Sequence, residues 1–247
     1  MRRALTLGLA LAALFVSAPA AAIRPFITDD ARVVGKGHLQ LETYWRRDDL
    51  ALQHWILPAI GPNDWLELTL GGVHGIGNIS TREEGYDIAG PVAQAKVLLR
   101  ETIPNRPPGF ALSAGTVPPL GRGGFSAPGW TGFSYLAMTQ AFFKEDDFLI
   151  HANIGLSAIA AKGFDPVKFT WGVGTQVETI YDFHLIGEVF SGDPYVAGAG
   201  AAYQVGFRII FNDHLQLDGT YGRGFTGDSP MPPFFSSGFR VVSHELW

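Results

Sequence analysis

Leu39-Gln40-Leu41-Glu42-Thr43-Tyr44-Trp45-Arg46 decides the fold class of this 247-residue chain. Leu39, Leu41, Thr43 and Trp45 fall on one side, and His38, Gln40, Glu42, Tyr44 and Arg46 on the other. A two-residue period presents two faces only when the backbone is extended. The same period recurs in Leu66–Leu70, Phe148–Ser157, Lys168–Glu178, Tyr203–Phe211 and Leu215–Tyr221. Helical spacing fits none of these segments, and the chain reads as all-β.

Boundaries drawn from the period and from turn residues predict about 12 strands. They fall at 37–46, 51–60, 64–73, 88–100, 109–117, 131–143, 147–158, 168–179, 183–190, 200–211, 214–224 and 234–246. Gly61–Asp64, Pro104–Pro108, Lys144–Asp147, Tyr181-Asp182 and Asn212-Asp213 read as short turns. Between them lie longer connections: His74–Asp87, Pro118–Trp130, Ile159–Val167, Ser191–Ala199 and Thr226–Pro233. Short and long connections thus alternate, with Arg47–Leu50 the one exception. A β-sandwich has no reason to sort its loops by parity, whereas an outer-membrane barrel has short periplasmic turns and longer outer loops. Strands of about 10 residues, rising roughly 3.3 Å each and tilted about 40°, span roughly 25 Å, the height of such a barrel's apolar band.

The N-terminus agrees. Arg2 and Arg3 precede an apolar run from Ala4 to Val16 and the small residues Ala20-Ala21-Ala22. This is the pattern of a secretory signal over residues 1–22, too short in its apolar part to cross a bilayer as a helix. Residues 23–36 precede the first strand as a periplasmic or lumen-entering segment, and 37–247 form the barrel. Removing Arg2 and Arg3 leaves 16 basic against 23 acidic residues, a formal charge of about −7, which argues against a nucleic-acid partner. No cysteine is present, so the core or closed strand pairing, and not disulfides, must hold the exported domain. The expected partners are outer-membrane lipid, the barrel-assembly machinery and a small-molecule solute.

Inward parity predicts a lumen lined by Glu42, Glu67, Lys96, Arg100, His151, Lys168, Glu178, His184, Glu188, Arg208 and Asp218, with Arg240 beside them. Opposite charges paired across the interior would relieve the cost of burying them. His184 and Glu188 share one strand face about 13 Å apart, which suits a hydrogen-bonded network better than an acid–base pair. Asp29-Asp30 and Glu83, Glu84 and Asp87 lack calcium-loop spacing and read as turns or solvated loops. Gly75-Ile76-Gly77 and Gly121-Arg122-Gly123-Gly124 read as loop apices, because no helix follows to make a phosphate cradle. The six tryptophans, Trp45, Trp55, Trp65, Trp130, Trp171 and Trp247, mostly fall near strand ends, where lipid–water boundaries favour them. No catalytic set, cofactor site or metal site is expected.

Two stretches resemble a known family. Thr28-Asp29-Asp30 followed by Val34-Gly35-Lys36-Gly37-His38-Leu39-Gln40-Leu41-Glu42 is similar to the opening of an outer-membrane barrel family named for a MetA pathway of phenol degradation. Asn212-Asp213, Leu215, Leu217, Asp218 and Tyr221-Gly222-Arg223-Gly224 resemble that family's C-terminal hairpins. The resemblance implies a barrel that passes small, often aromatic or apolar compounds, with no catalytic set. The alternatives are an outer-membrane lipase or protease acting at the rim, and an adhesive barrel whose loops bind a surface partner. The C-terminal end departs from the usual assembly signal, since Ser243 and Glu245 stand in phase with the final Trp247.

Overall fold

A computed structural model describes residues 27–77, 79, 85–144, 147–162, 167–192 and 198–247. The expected signal peptide, Glu83 and Glu84 lie outside the described residues. The elements are β1 (Leu39–Arg47), β2 (Leu52–Asn63), β3 (Leu66–Gly77), β4 (Gly85–Arg100), β5 (Gly109–Val117), a two-residue β6 (Gly121–Arg122), β7 (Trp130–Phe142), β8 (Phe148–Ala160), β9 (Val167–Ile180), β10 (Phe183–Phe190), β11 (Ala202–Asn212), β12 (Leu215–Gly224) and β13 (Phe234–Val242). A single 3-10 turn, Gly123–Phe125, follows β6. Each long strand pairs antiparallel with its neighbour in sequence, and β13 returns to pair with β1, Glu42 opposite Arg240. The twelve long strands therefore close a ring. Closure removes the unpaired edges that an open sheet would expose.

The burial pattern of β13, alternately buried and exposed along its whole length, shows how the wall is built. Leu41, Ile56, Leu70, Leu112, Ile154, Val173, Leu185, Val205 and Phe239 are exposed on the outside, in the middle of their strands. Trp65, Phe143, Tyr181, Phe211 and Trp247 ring the end that carries the short turns, and Trp45, Tyr86, Trp130 and Phe235 ring the other. An apolar band flanked by aromatics matches hydrocarbon bounded by water. Inside, the chain buries charged and amide side chains: Lys96, His151, Gln176 and Arg208 are all at most 1% exposed. A greasy outside and a polar inside invert the soluble pattern.

The connections sort by end. β2–β3, β4–β5, β7–β8, β9–β10 and β11–β12 turn at one end, which we call the turn end, and both termini of the barrel lie there. The opposite, loop end carries the longer connections. Several details differ from the sequence reading. Gly75-Ile76-Gly77 is not a loop apex but the last part of β3, where Gly75 lies opposite Gln53 and Asp87. A Cβ on Gly75 would come within 1.9 Å of the Leu52 carbonyl oxygen, so the close strand approach explains the glycine. Gly121-Arg122 is not an apex either. It extends the sheet by pairing with Ile88 and Ala89 of β4.

Gly123 and Gly124 then wrap the buried Asp87, whose Oδ2 accepts from the Gly124 N–H at 2.8 Å. Asp87 is therefore a loop anchor in β4 and not part of a solvated loop. The last strand stops at Val242, four residues before the expected end. Beyond it the chain still follows the first strand, Ser243 N–H donating to Leu39 O at 2.8 Å and Leu246 N–H to Gly37 O at 2.8 Å.

Candidate functional site: the barrel lumen

The lumen is filled from one side by residues 27–34. Asp29 and Asp30 are not solvated turn residues, as the sequence suggested; they are 6% and 1% exposed. Lys96, at 0% exposure, donates to Asp29 Oδ1 at 2.8 Å and to Asp30 Oδ1 at 3.3 Å. Tyr135 donates to Asp29 Oδ2 at 2.7 Å. Burial pushes the Asp29 carboxyl up, and the Lys96 ammonium pulls it back.

The backbone of the segment is held as firmly. Glu188 accepts from the N–H of Ile27 at 2.6 Å and of Thr28 at 2.8 Å, Thr139 from Ala31 at 2.9 Å, and Glu67 from Val34 at 2.8 Å. The Asn153 amide, in the orientation that satisfies both its atoms, donates to Asp29 O at 2.7 Å and accepts from Asp29 N–H at 2.8 Å. An extended segment without strand partners has to satisfy its backbone somehow, and lumen side chains do so here.

The anchors come from five strands, β3, β4, β7, β8 and β10, because the two-residue period aims one residue in two at the axis. Glu67 and Lys96 are direct cross-strand neighbours on β3 and β4. His184 stands opposite Arg208, and Arg208 opposite Asp218, on β10, β11 and β12. The Glu67–Lys96 and Arg208–Asp218 pairs bring opposite charges within reach without long side-chain excursions. Arg208 donates to Gln176, whose amide lies 3.2 Å from His184 Nδ1. Arg240 donates to Gln40 at 2.7 Å and lies 3.8 Å from Glu42. Gln204 donates to Glu188 and accepts from Thr220 at 2.9 Å. His151 Nδ1 is 3.0 Å from the Thr139 hydroxyl. His184 and Glu188 thus serve separate parts of the network.

Of the eleven residues assigned to the lumen by parity, Glu42, Glu67, Lys96, His151, His184, Glu188, Arg208 and Asp218 are buried. The other three are not. Arg100 is exposed at the turn end, where a register shift between Leu98 and Arg100 breaks the alternation. Glu178 lies at the same end beside a register shift of β10, and its carboxylate accepts from Asp182 N–H at 3.1 Å in the turn. Lys168 is half-buried at the loop end and donates to the Ala199 carbonyl at 3.2 Å. A bulge moves the last side chain of a strand off the face that simple counting assigns.

Above the docked segment, towards the loop end, the lumen holds a cavity of about 280 Å³. Asp29, Glu42 and Glu67 mark its floor, and Tyr44, Arg46, Trp55 and Phe234 its upper wall. Tyr44 and Trp55 stack with ring centroids 5.8 Å apart and planes 5° from parallel. The Arg46 guanidinium lies 4.2 Å from the centre of the Phe234 ring. Trp55 therefore points inward from the middle of β2 and is not a boundary tryptophan. Its even spacing from Leu57 and Ala59, both on the cavity wall, was the available signal. Phe190, Ala202, Met231 and Phe234 form an apolar cluster beside the cavity at the loop end. A concave cavity that combines aromatic and aliphatic walls with aimed polar groups has the character of a small-molecule site, just below the usual size range.

Similarity to known proteins agrees with this architecture. The COG4313 outer membrane channel from Pseudomonas putida F1 superposes with a TM-score of 0.62 at 11% identity, covering 89% of this chain and 99% of that one. The NanC porin superposes with a TM-score of 0.52 at 11% identity, covering 84% of this chain and 100% of that one. At such identities the likeness is one of fold. No curated protein matches the chain in sequence. A family model matches residues 10–231, from the N-terminal apolar stretch through β12. With most of its length accounted for in this way, the chain belongs to the family described as Uncharacterised conserved protein UCP029691.

Proposed function

We propose that the protein is a channel of the bacterial outer membrane that passes small apolar or aromatic molecules by passive or facilitated diffusion. The observation that carries this reading is the aromatic-walled cavity inside a closed barrel whose outer wall is apolar. A polar, largely paired lumen supports passage in preference to strong ion selection, since its buried charges already answer one another. The motifs at Thr28–Glu42 and Asn212–Gly224 support kinship with the barrels named for the MetA pathway of phenol degradation. Export by residues 1–22, insertion by the barrel-assembly machinery and a lipid surround complete the proposal.

In the same reading residues 23–36 dock into the lumen and restrict it, and Glu42, Glu67, Lys96, His151, His184, Glu188, Arg208 and Asp218 line the path. Purified protein in liposomes should admit small aromatic solutes faster than protein-free liposomes. Uptake equal to the control would remove the proposal.

A further inference from the structure

We infer that the loop-end cavity is a site for a small aromatic carboxylate, with Arg46 as the partner of the carboxylate and the Trp55–Tyr44 pair as the surface for the ring. The inference rests on the proposal that small aromatic molecules occupy the lumen, and specifies which of them bind.

Arg46 stands apart from the other ionised groups around the cavity. Its Nε is shut off from solvent and has no hydrogen-bond partner, while its guanidinium faces the Phe234 ring. A buried N–H left without an acceptor is costly, and native structures rarely keep one without a use. The other charges each have a partner, although Arg240 Nη1 and Asp30 Oδ2 are also left without one. Lys96 holds Asp29 and Asp30. Arg240 holds Gln40 and faces Glu42, which also accepts from Gln40 at 3.0 Å. Glu67 accepts from Val34 N–H. The acids on the cavity floor are thus already matched, and the Arg46 Nε near its mouth is not.

The chemistry of the ligand follows from what surrounds that charge. A guanidinium is a planar fork of donors that fits a carboxylate with two parallel hydrogen bonds. The Phe234 ring against Arg46 and the Trp55 ring just below it make the nearby wall apolar, which suits a hydrocarbon body and not a heavily hydrated anion such as phosphate. The flat Tyr44 and Trp55 rings offer a face on which an aromatic ring stacks. At about 280 Å³ the cavity takes a compound of one ring. Arg46 is the penultimate residue of β1, so the anion would meet it close to the loop-end mouth before the ring settles deeper.

Benzoate and benzamide, alike in size and shape and different in charge, test the inference by titration calorimetry on the folded full chain in detergent. Benzoate should bind about tenfold or more tightly than benzamide, the range of a charge-assisted hydrogen bond. Arg46→Gln should abolish that preference, so that benzoate and benzamide bind alike, while Arg46→Lys should keep part of it. Folding of each variant is read from heat-modifiable gel migration. Should the Gln variant not fold, the wild-type preference still decides, because a benzoate preference resting on an ion pair shrinks with added salt.

Equal binding of the two compounds to wild type, or a preference that survives Arg46→Gln, overturns the inference and leaves the aromatic channel standing. Failure of both compounds to bind wild type overturns the channel's aromatic preference as well.

Discussion

Replacing Lys96 with Met should release the docked N-terminal segment. Lys96 is fully buried and lies 2.8 Å from Asp29 and 3.3 Å from Asp30, with Glu67 opposite it on the neighbouring strand. Removing one partner of a buried ion pair typically costs about 3–5 kcal/mol, because the charge left behind has neither water nor a partner. The cost falls on the docked state, since Asp29 regains water when the segment leaves. At 1.4 kcal/mol per tenfold, the equilibrium should move towards the undocked form by about 10² to 10⁴. Four side chains would still hold the backbone from Ile27 to Val34. At about 1 kcal/mol each for neutral hydrogen bonds and somewhat more for those to Glu188, they keep the docked form partly populated in the variant.

The assay is single-channel conductance in planar bilayers. The variant should spend a larger fraction of time in a high-conductance state than wild type, while its barrel still shifts on heating in gels.

The same variant carries a pH dependence whose sign follows from Asp29. Burial raises its carboxyl pKa in the docked state, so that state holds the proton longer than the free segment does. Docking is then strongest when the carboxyl is protonated, and weakens as pH rises from the ordinary carboxyl range of about 4 towards the docked pKa. Without Lys96 to pull the value back, the dependence grows, and the variant should be quieter at about pH 4 than at about pH 8. Conductance equal to wild type at both pH values would refute the argument that the Lys96 ion pairs keep the segment docked.

Deleting residues 23–36 should raise conductance in the same bilayers, and to a higher plateau than Lys96→Met reaches, because every anchor is lost at once. Gly123→Ala should destabilise the β5–β7 connection by about 1–3 kcal/mol, from strain at a φ of +74° and a Cβ placed 1.6 Å from Asp87 Oδ1. Faster proteolysis within residues 118–129 of folded protein would show it. Leu70→Arg, on the exposed outer wall in the middle of β3, should cost about 2–4 kcal/mol on folding into vesicles. The same variant's effect should shrink in a detergent that lets water reach the side chain, which a purely steric defect would not do.

Period counting carries a strand's sidedness only as far as the strand keeps its register. Glu42, Lys96, Glu188 and Arg208 sit well inside regular ladders and are buried. Arg100 and Glu178 sit beside register shifts and are not. A bulge depends on how two strands meet, which no single strand's pattern records. Trp55 shows a different blind spot. Tryptophan is at home at a membrane boundary and also on a ligand surface, and only the inward direction of β2 at that point separates the two. Gly123 shows a third: glycine permits a positive φ anywhere, and the sequence does not say that a buried carboxylate 36 positions earlier would require it.

What the chain determines by itself is the local choice of extended backbone, the sidedness of each strand, and the alternation of short and long connections. These rest on hydrophobic period and turn chemistry, which act over a few residues. The pairing of β13 with β1, the docking of Asp29 and Asp30 against Lys96, and the cavity between Trp55, Arg46 and Phe234 were decided only by closure of the ring. Closure brings residues as many as 200 positions apart into a shared, water-poor interior. There a buried charge is stable only beside its partner, and which partner is near depends on the number and stagger of the strands.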